Sequence, residues 1–153
     1  MNAVAEPVPR PADELRFEQA FERVWRERMA GLPFLNDRLG VAALGFRDWQ
    51  GVRVGALVTP WSLNLLVVPA PGAELPAVRP GDTHAWSFPS GDYGFDGHDD
   101  PQLGRYHQYS LFSPVPEFES QDEAVAVASA ALEALFRSPQ PTRLSRRGLL
   151  LGS

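Results

Sequence analysis

The chain has 153 residues, 44% apolar and 22% charged, a balance that suits one folded domain and excludes a disordered chain. It contains no cysteine, so disulfides, thiolate metal sites and a cysteine nucleophile are excluded. The net charge of −5 is uneven: from Arg137 onward there are four arginines and no acid, leaving ten basic and nineteen acidic residues before it. An acidic body disfavours nucleic acid as a partner and favours a cationic one.

Residues 1–12 are proline-rich and read as a flexible arm. They carry prolines and acids where an export signal has basic residues and an apolar stretch, so a cytoplasmic location is expected. From Asp13 to Ala30, Phe17, Ala20, Phe21, Val24 and Trp25 recur at three- and four-residue spacing, which predicts an amphipathic helix. Gly31 and Pro33 supply its stop. "LGVAALGFRDW" and "VRVGALVTP", separated by "QG", predict a hairpin. "SLNLLVVPA" predicts a further strand, ended by the proline-rich "PAPGAELPAVRPG". "THAWSFPSG", "YGFDGHDD" and "GRYHQYSLF" complete the strand series.

The last element is the clearest. Ser120 and Glu123 form a capping-box pattern, and Ala124, Val127, Ala128, Ala131, Leu132, Leu135 and Phe136 mark one helix face. The order predicts an α+β fold: a largely antiparallel sheet of about five or six strands with an N-terminal and a C-terminal helix packed on it, both on one face. The expected organisation is a single domain over 13–137 and a flexible basic tail over 138–153. No apolar run approaches the ~20 residues of a membrane span.

The sequence offers weak catalytic signals. His84, His98 and His107 match no metal-ligand spacing, and ordinary histidines are expected. His84, Ser87 and Asp92 suggest a hydrolase triad in residue type only, without a GxSxG elbow. No glycine-rich loop is present to cradle phosphate. No catalytic residue, metal or cofactor is therefore assigned.

Binding signals are stronger. "GDYGFDGHDDPQLG" concentrates Asp92, Asp96, Asp99 and Asp100 beside Tyr93 and Phe95, which is either a solvated turn or an acidic rim for arginines. Trp61, Trp86 and Phe88 stand near prolines and turns, where aromatic residues serve as core edges or as anchors for a peptide. Asn64 interrupts the apolar run "LNLLVV" and needs a hydrogen-bond partner, from the backbone or from a ligand. The tail "RLSRRGLLLGS" carries the serine, adjacent arginines and leucines of a twin-arginine export signal at the wrong end of a chain. Arg146, Arg147, Leu149 and Leu150 are accordingly read as a candidate mimic of such a signal.

"MAGLPFLN", "GFRDWQG", "LVTPWSLNLLVVP", "FPSGDYGF" and "LGRYHQYSLFSPVPEF" together resemble the [NiFe]-hydrogenase assembly chaperone family of the HybE/HupJ type, from about Met29 to Phe136. The resemblance implies a maturation accessory without catalytic activity, linked to the hydrogenase small-subunit precursor and its twin-arginine signal. The large subunit and other maturation proteins are further implied partners. Some relatives carry a fused rubredoxin domain, whose iron-binding cysteines this chain lacks. Pro60, Trp61, Asn64, Tyr106, Leu111, Phe112, Ser113 and Pro114 carry over as motif residues. The expected cargo-binding set is Trp61, Asn64, Trp86, Phe88, Asp92, Tyr93, Asp96, Asp99, Asp100, Tyr106 and Phe112. The alternative reading is a small-molecule- or metal-binding domain built on the aromatic strands and histidines.

Overall fold

The computed structural model describes residues 12–138. Helix α1 spans Ala12–Val24 and continues as a π-helical turn over Trp25–Met29. Ala30 N–H closes that turn on Trp25 O at 2.8 Å, and Gly31, at φ 87°, redirects the chain where the sequence predicts a stop. Six strands follow: β1 (Ala42–Trp49), β2 (Val52–Val58), β3 (Leu63–Pro69), β4 (Thr83–Phe88), β5 (Gly91–Asp100) and β6 (Gly104–Phe112). Helix α2, Gln121–Leu135, closes the described fold. Ser120 accepts the Glu123 N–H at 3.1 Å, and the Glu123 carboxylate reaches back to Glu119 N–H at 2.8 Å.

The strands form one sheet in the order β1-β2-β3-β6-β5-β4, with every neighbouring pair antiparallel. Two three-stranded meanders are thus joined through β3 and β6.

The expectation that both helices share a face is corrected. Leu57, Leu66 and Val68 pack with Phe17 and Ala20 of α1, whereas Val54, Val58, Leu63, Leu65 and Val67 pack with Ala124, Ala128, Leu132 and Leu135 of α2. The helices therefore lie on opposite faces. The cause is legible in "VRVGALV" and "LNLLVVP", which are apolar at nearly every position and so must be covered on both sides. Two helices on one face would leave alternate apolar side chains of β2 and β3 in water.

At the β1–β2 pairing, the register shifts between Leu44 and Arg47. Gly45 takes φ 71° in this bulge, and a Cβ there would sit 2.6 Å from Leu132 of α2. Gly55 leaves room for the Phe46 ring, which a Cβ would approach to 2.5 Å. Gly55→Ala is expected to destabilise the fold by about 1–3 kcal/mol, read as a lower urea midpoint at unchanged slope.

Candidate functional site

Three of the sequence blocks meet at one end of the sheet. Asn36 N–H donates to Pro60 O at 2.8 Å, and its side-chain amide donates to Pro116 O and Phe118 O at 3.2 and 3.1 Å. One asparagine thereby ties the loop after α1 to the β2–β3 turn and to the segment after β6. That turn is held internally as well. Thr59 Oγ1 accepts the N–H groups of Trp61 and Ser62 at 3.2 and 2.9 Å and lies 3.1 Å from Ser62 Oγ. Asn64 Nδ2 donates to Ser62 Oγ at 2.8 Å, so the chemistry of "TPWSLN" is largely that of a buried turn.

The same end is unusually apolar on its surface. Among the described residues the exposed large apolar side chains are Leu15, Leu32, Phe34 and Phe112, and the last three belong to segments that meet here. An open cleft of about 680 Å³ is lined by Pro33, Phe34, Leu35, Asn36, Pro114, Val115 and Pro116 with Asp37, Arg38 and Glu117. Phe112 pairs with Leu63 beside the turn that carries half-buried Trp61.

The remaining sequence-predicted residues divide by strand parity. Asp96 pairs with Thr83 and Gln108, and Gln108 with Leu66, which places Asp92 and Asp96 on the face that carries α1. Helix α1 covers β1 to β3 and reaches Tyr106 of β6 there, and both carboxylates are exposed, with no ion pair among the described residues. Asp99 points the other way and pairs with Arg105 Nε at 2.9 Å. Asp100 is a turn residue whose Oδ1 accepts the N–H groups of Gln102 and Leu103 at 2.7 and 2.9 Å. The four acids therefore do not form one rim, because along β5, the strand expected at "YGFDGHDD", Asp99 points to the face opposite Asp92 and Asp96.

Several of the expected contact residues are interior. Asn64 is 2% exposed, and Phe88 and Tyr106 are each 6% exposed. Phe88 stacks on Trp49 at 6.0 Å and meets Phe136 edge-on at 5.6 Å. Tyr106 meets Phe17 edge-on at 5.1 Å, and burial, with the Asp100 charge behind it, pushes its hydroxyl up to about 12. Tyr93 is tied to Ser90 at 2.6 Å. Arg146, Arg147, Leu149 and Leu150 lie outside the described residues.

The three histidines do not share one site: the His84 and His107 rings lie 5.7 Å apart, but His98 stands away from them. His107 is fully buried, accepts the Trp86 indole N–H on Nδ1 at 3.0 Å, and its Nε2 lies 3.0 Å from Pro76 O. A neutral ring protonated on Nε2 satisfies both partners, and burial lowers its pKa. His98 lies on the opposite face, stacked on Tyr106 at 5.1 Å. No group of three metal-ligating side chains occurs among the described residues. The imagined triad also separates, since Ser87 and Asp92 face away from His84.

Leu32, Phe34 and Asn36 were not among the residues singled out as a site. The available signal was "GLPFLN", apolar residues between turn residues and outside any periodic segment, where burial has no element to supply it.

Fold and site together define a small α+β protein with a helix on each face of an antiparallel sheet and an apolar, proline-framed end. The chain belongs to the family described as "[NiFe]-hydrogenase assembly, chaperone, HybE", whose model matches residues 12–152. It is similar to hydrogenase expression/formation protein HupT of Azotobacter chroococcum mcd 1, 44% identical over 135 residues, 86% of this chain and 89% of that protein. Hydrogenase expression/formation protein HupJ of Bradyrhizobium diazoefficiens is 36% identical over 145 residues, 88% of this chain and 84% of that protein. The solution structure of HybE from Escherichia coli shares the fold, with a TM-score of 0.67 at 24% identity over 83% of this chain and 78% of that one. No helix among the described residues is long and apolar enough to cross a membrane.

Proposed function

We propose that the protein is a binding chaperone of [NiFe]-hydrogenase maturation that holds the small-subunit precursor, through its twin-arginine signal, in the cytoplasm until assembly is complete. It performs no catalytic step. The observation that carries this reading is the pairing of an exposed apolar end, Leu32, Phe34 and Phe112, with exposed, unpaired carboxylates at Asp92 and Asp96. A twin-arginine signal offers the complement: adjacent cations followed by an apolar run. The names of the relatives as hydrogenase formation proteins support the cargo class.

Tagged protein is expected to capture the small-subunit precursor from cells and to lose it when the twin arginines become glutamines. Capture that ignores that change removes the signal from the reading. Phe34→Ser and Phe112→Ser are each expected to weaken capture about tenfold, since exposed aromatic anchors dominate such contacts. Their melting temperatures are expected to stay near that of the parent.

Asn64 is assigned to structure. Asn64→Leu is expected to alter stability by less than about 1 kcal/mol, because it removes an amide whose Oδ1 has no partner and leaves Ser62 Oγ bonded to Thr59. Affinity of the folded protein should not change. Thermal melts and titrations on one preparation check both statements.

The tail is proposed to compete with cargo as a tethered mimic. A chain lacking residues 141–153 is expected to bind a synthetic signal peptide several-fold more tightly, as loss of an intramolecular competitor requires. Unchanged affinity ends the mimic.

A further inference from the structure

The two edges of the sheet are finished differently. On β1, the outward N–H groups of Ala43 and Phe46 are taken by Glu18 and Glu14 of α1, at 2.9 and 3.4 Å. That edge is closed to another strand. On β4, no group outside β5 hydrogen-bonds to the main chain of Thr83–Phe88 among the described residues. Nor does "THAWSF" carry the charge, proline or bulge that blunts an open edge. Edge backbone of this kind retains half of its donors and acceptors for a further strand.

The face beside that edge has a fitting shape and charge. Thr83, Ala85 and Ser87 are exposed and small, Thr83 packs over Gly94 of β5, and Asp92 and Asp96 stand on either side of that glycine on the same face. An added strand would lie two strand spacings, about 10 Å, from β5. An extended arginine crosses the small residues of β4 and meets the reach of an aspartate. Shorter or apolar side chains would leave both carboxylates without a partner.

We propose that β4 is a strand-addition site, at which an extended, arginine-bearing segment of the cargo pairs with Thr83–Phe88 as a seventh strand. The inference rests on the cargo reading above and adds its mode. Successive side chains of a strand point to opposite faces, so one of two adjacent arginines comes within reach of Asp92 or of Asp96, while its neighbour turns to the side of half-buried Trp86. The β4–β5 turn and Phe112 lie at the same end of the sheet, since β5 and β6 run antiparallel from their Asp100–Gly104 turn. Apolar residues following the arginines are led to that end when the segment runs parallel to β4.

The test titrates the full chain with a synthetic peptide spanning the twin arginines and the apolar run. Two further peptides carry N-methyl groups on alternate residues, one on the odd and one on the even positions. Strand addition uses the amides of one parity only, so one methylated peptide is expected to bind about tenfold or more weakly and the other to bind as the parent does. Asp92→Asn with Asp96→Asn is expected to weaken the parent peptide about threefold to tenfold and to flatten its salt dependence. The melting temperature of that variant should hold, which separates lost contact from lost fold.

Equal behaviour of the two methylated peptides, or an unaltered affinity and salt slope in the aspartate variant, overturns the proposal. Capture of the whole precursor with no binding of the peptide overturns it and the signal as the contact, while leaving the precursor as the cargo. Failure to capture the precursor at all removes both. A dimer in sedimentation that excess peptide does not dissociate assigns the edge to a second copy and overturns it too.

Discussion

His107→Ala is expected to cost about 3–5 kcal/mol of folding stability. The ring is fully buried, and both of its nitrogens have partners: the Trp86 indole and the Pro76 carbonyl. Truncation strands a donor on β4 and an acceptor in the loop before it, each costing about 1–3 kcal/mol, and opens a cavity besides. His107→Gln is the decisive companion. A glutamine amide presents one acceptor and one donor, so it is expected to recover much of the loss in a urea titration. A histidine that served as a metal ligand would not be rescued in this way.

The same residue sets a pH dependence with a definite sign. Burial lowers the pKa of His107, opposed by the Pro76 carbonyl and reinforced by the charges of His84, Arg105 and His98. The folded value lies below the unfolded one, near 6.5, so in that interval the unfolded chain holds a proton that the folded one does not. This contribution is fully present above the unfolded value and is lost as pH falls toward the folded one. Urea midpoints measured from pH 8 downward should decline through the sixes, with a shallower decline in His107→Gln. An equal slope in both proteins would place the proton uptake elsewhere.

Much of the fold could be read from local signals, because those signals are set by near neighbours. The Ser120 cap, the α2 stripe and the six strand segments each depend on a few adjacent residues, and each is found in the structure. The side of the sheet each helix occupies was also written in β2 and β3, in their lack of alternation, but it required weighing two strands against two helices at once. The site was less legible. Parity along β5 splits Asp92 and Asp96 from Asp99, a split that follows from the strand expected at "YGFDGHDD" but is lost when the acids are weighed by their density along the chain. Phe88 and Trp86 carried an aromatic signal that burial and hydrogen bonding account for. Leu32 and Phe34 carried hardly any signal, since exposure of an apolar loop is a property of what fails to cover it.

Phe17→Ala is expected to destabilise the protein by about 3–5 kcal/mol, the second large effect, and to act on the other side of the sheet. Phe17 is fully buried and touches Phe21 at 6.3 Å, Phe46 at 6.0 Å and Tyr106 at 5.1 Å. It therefore holds α1 against β1 through Phe46 and against β6 through Tyr106. Its loss removes the main apolar contact of a helix whose other buried residue, Ala20, is small. The α2 face does not share these contacts, so the remaining core of Leu57, Leu66 and Val68 is what the solvent reaches first. The edge strand β4 lies at the far edge of the sheet from β1, separated by β5 from β6, the last strand that Phe17 touches. Peptide affinity measured well below the melting temperature should accordingly match the parent, even though the urea midpoint has fallen. A loss of affinity in step with the loss of stability would mean that α1, and not the β4–β5 half of the sheet, shapes the binding surface.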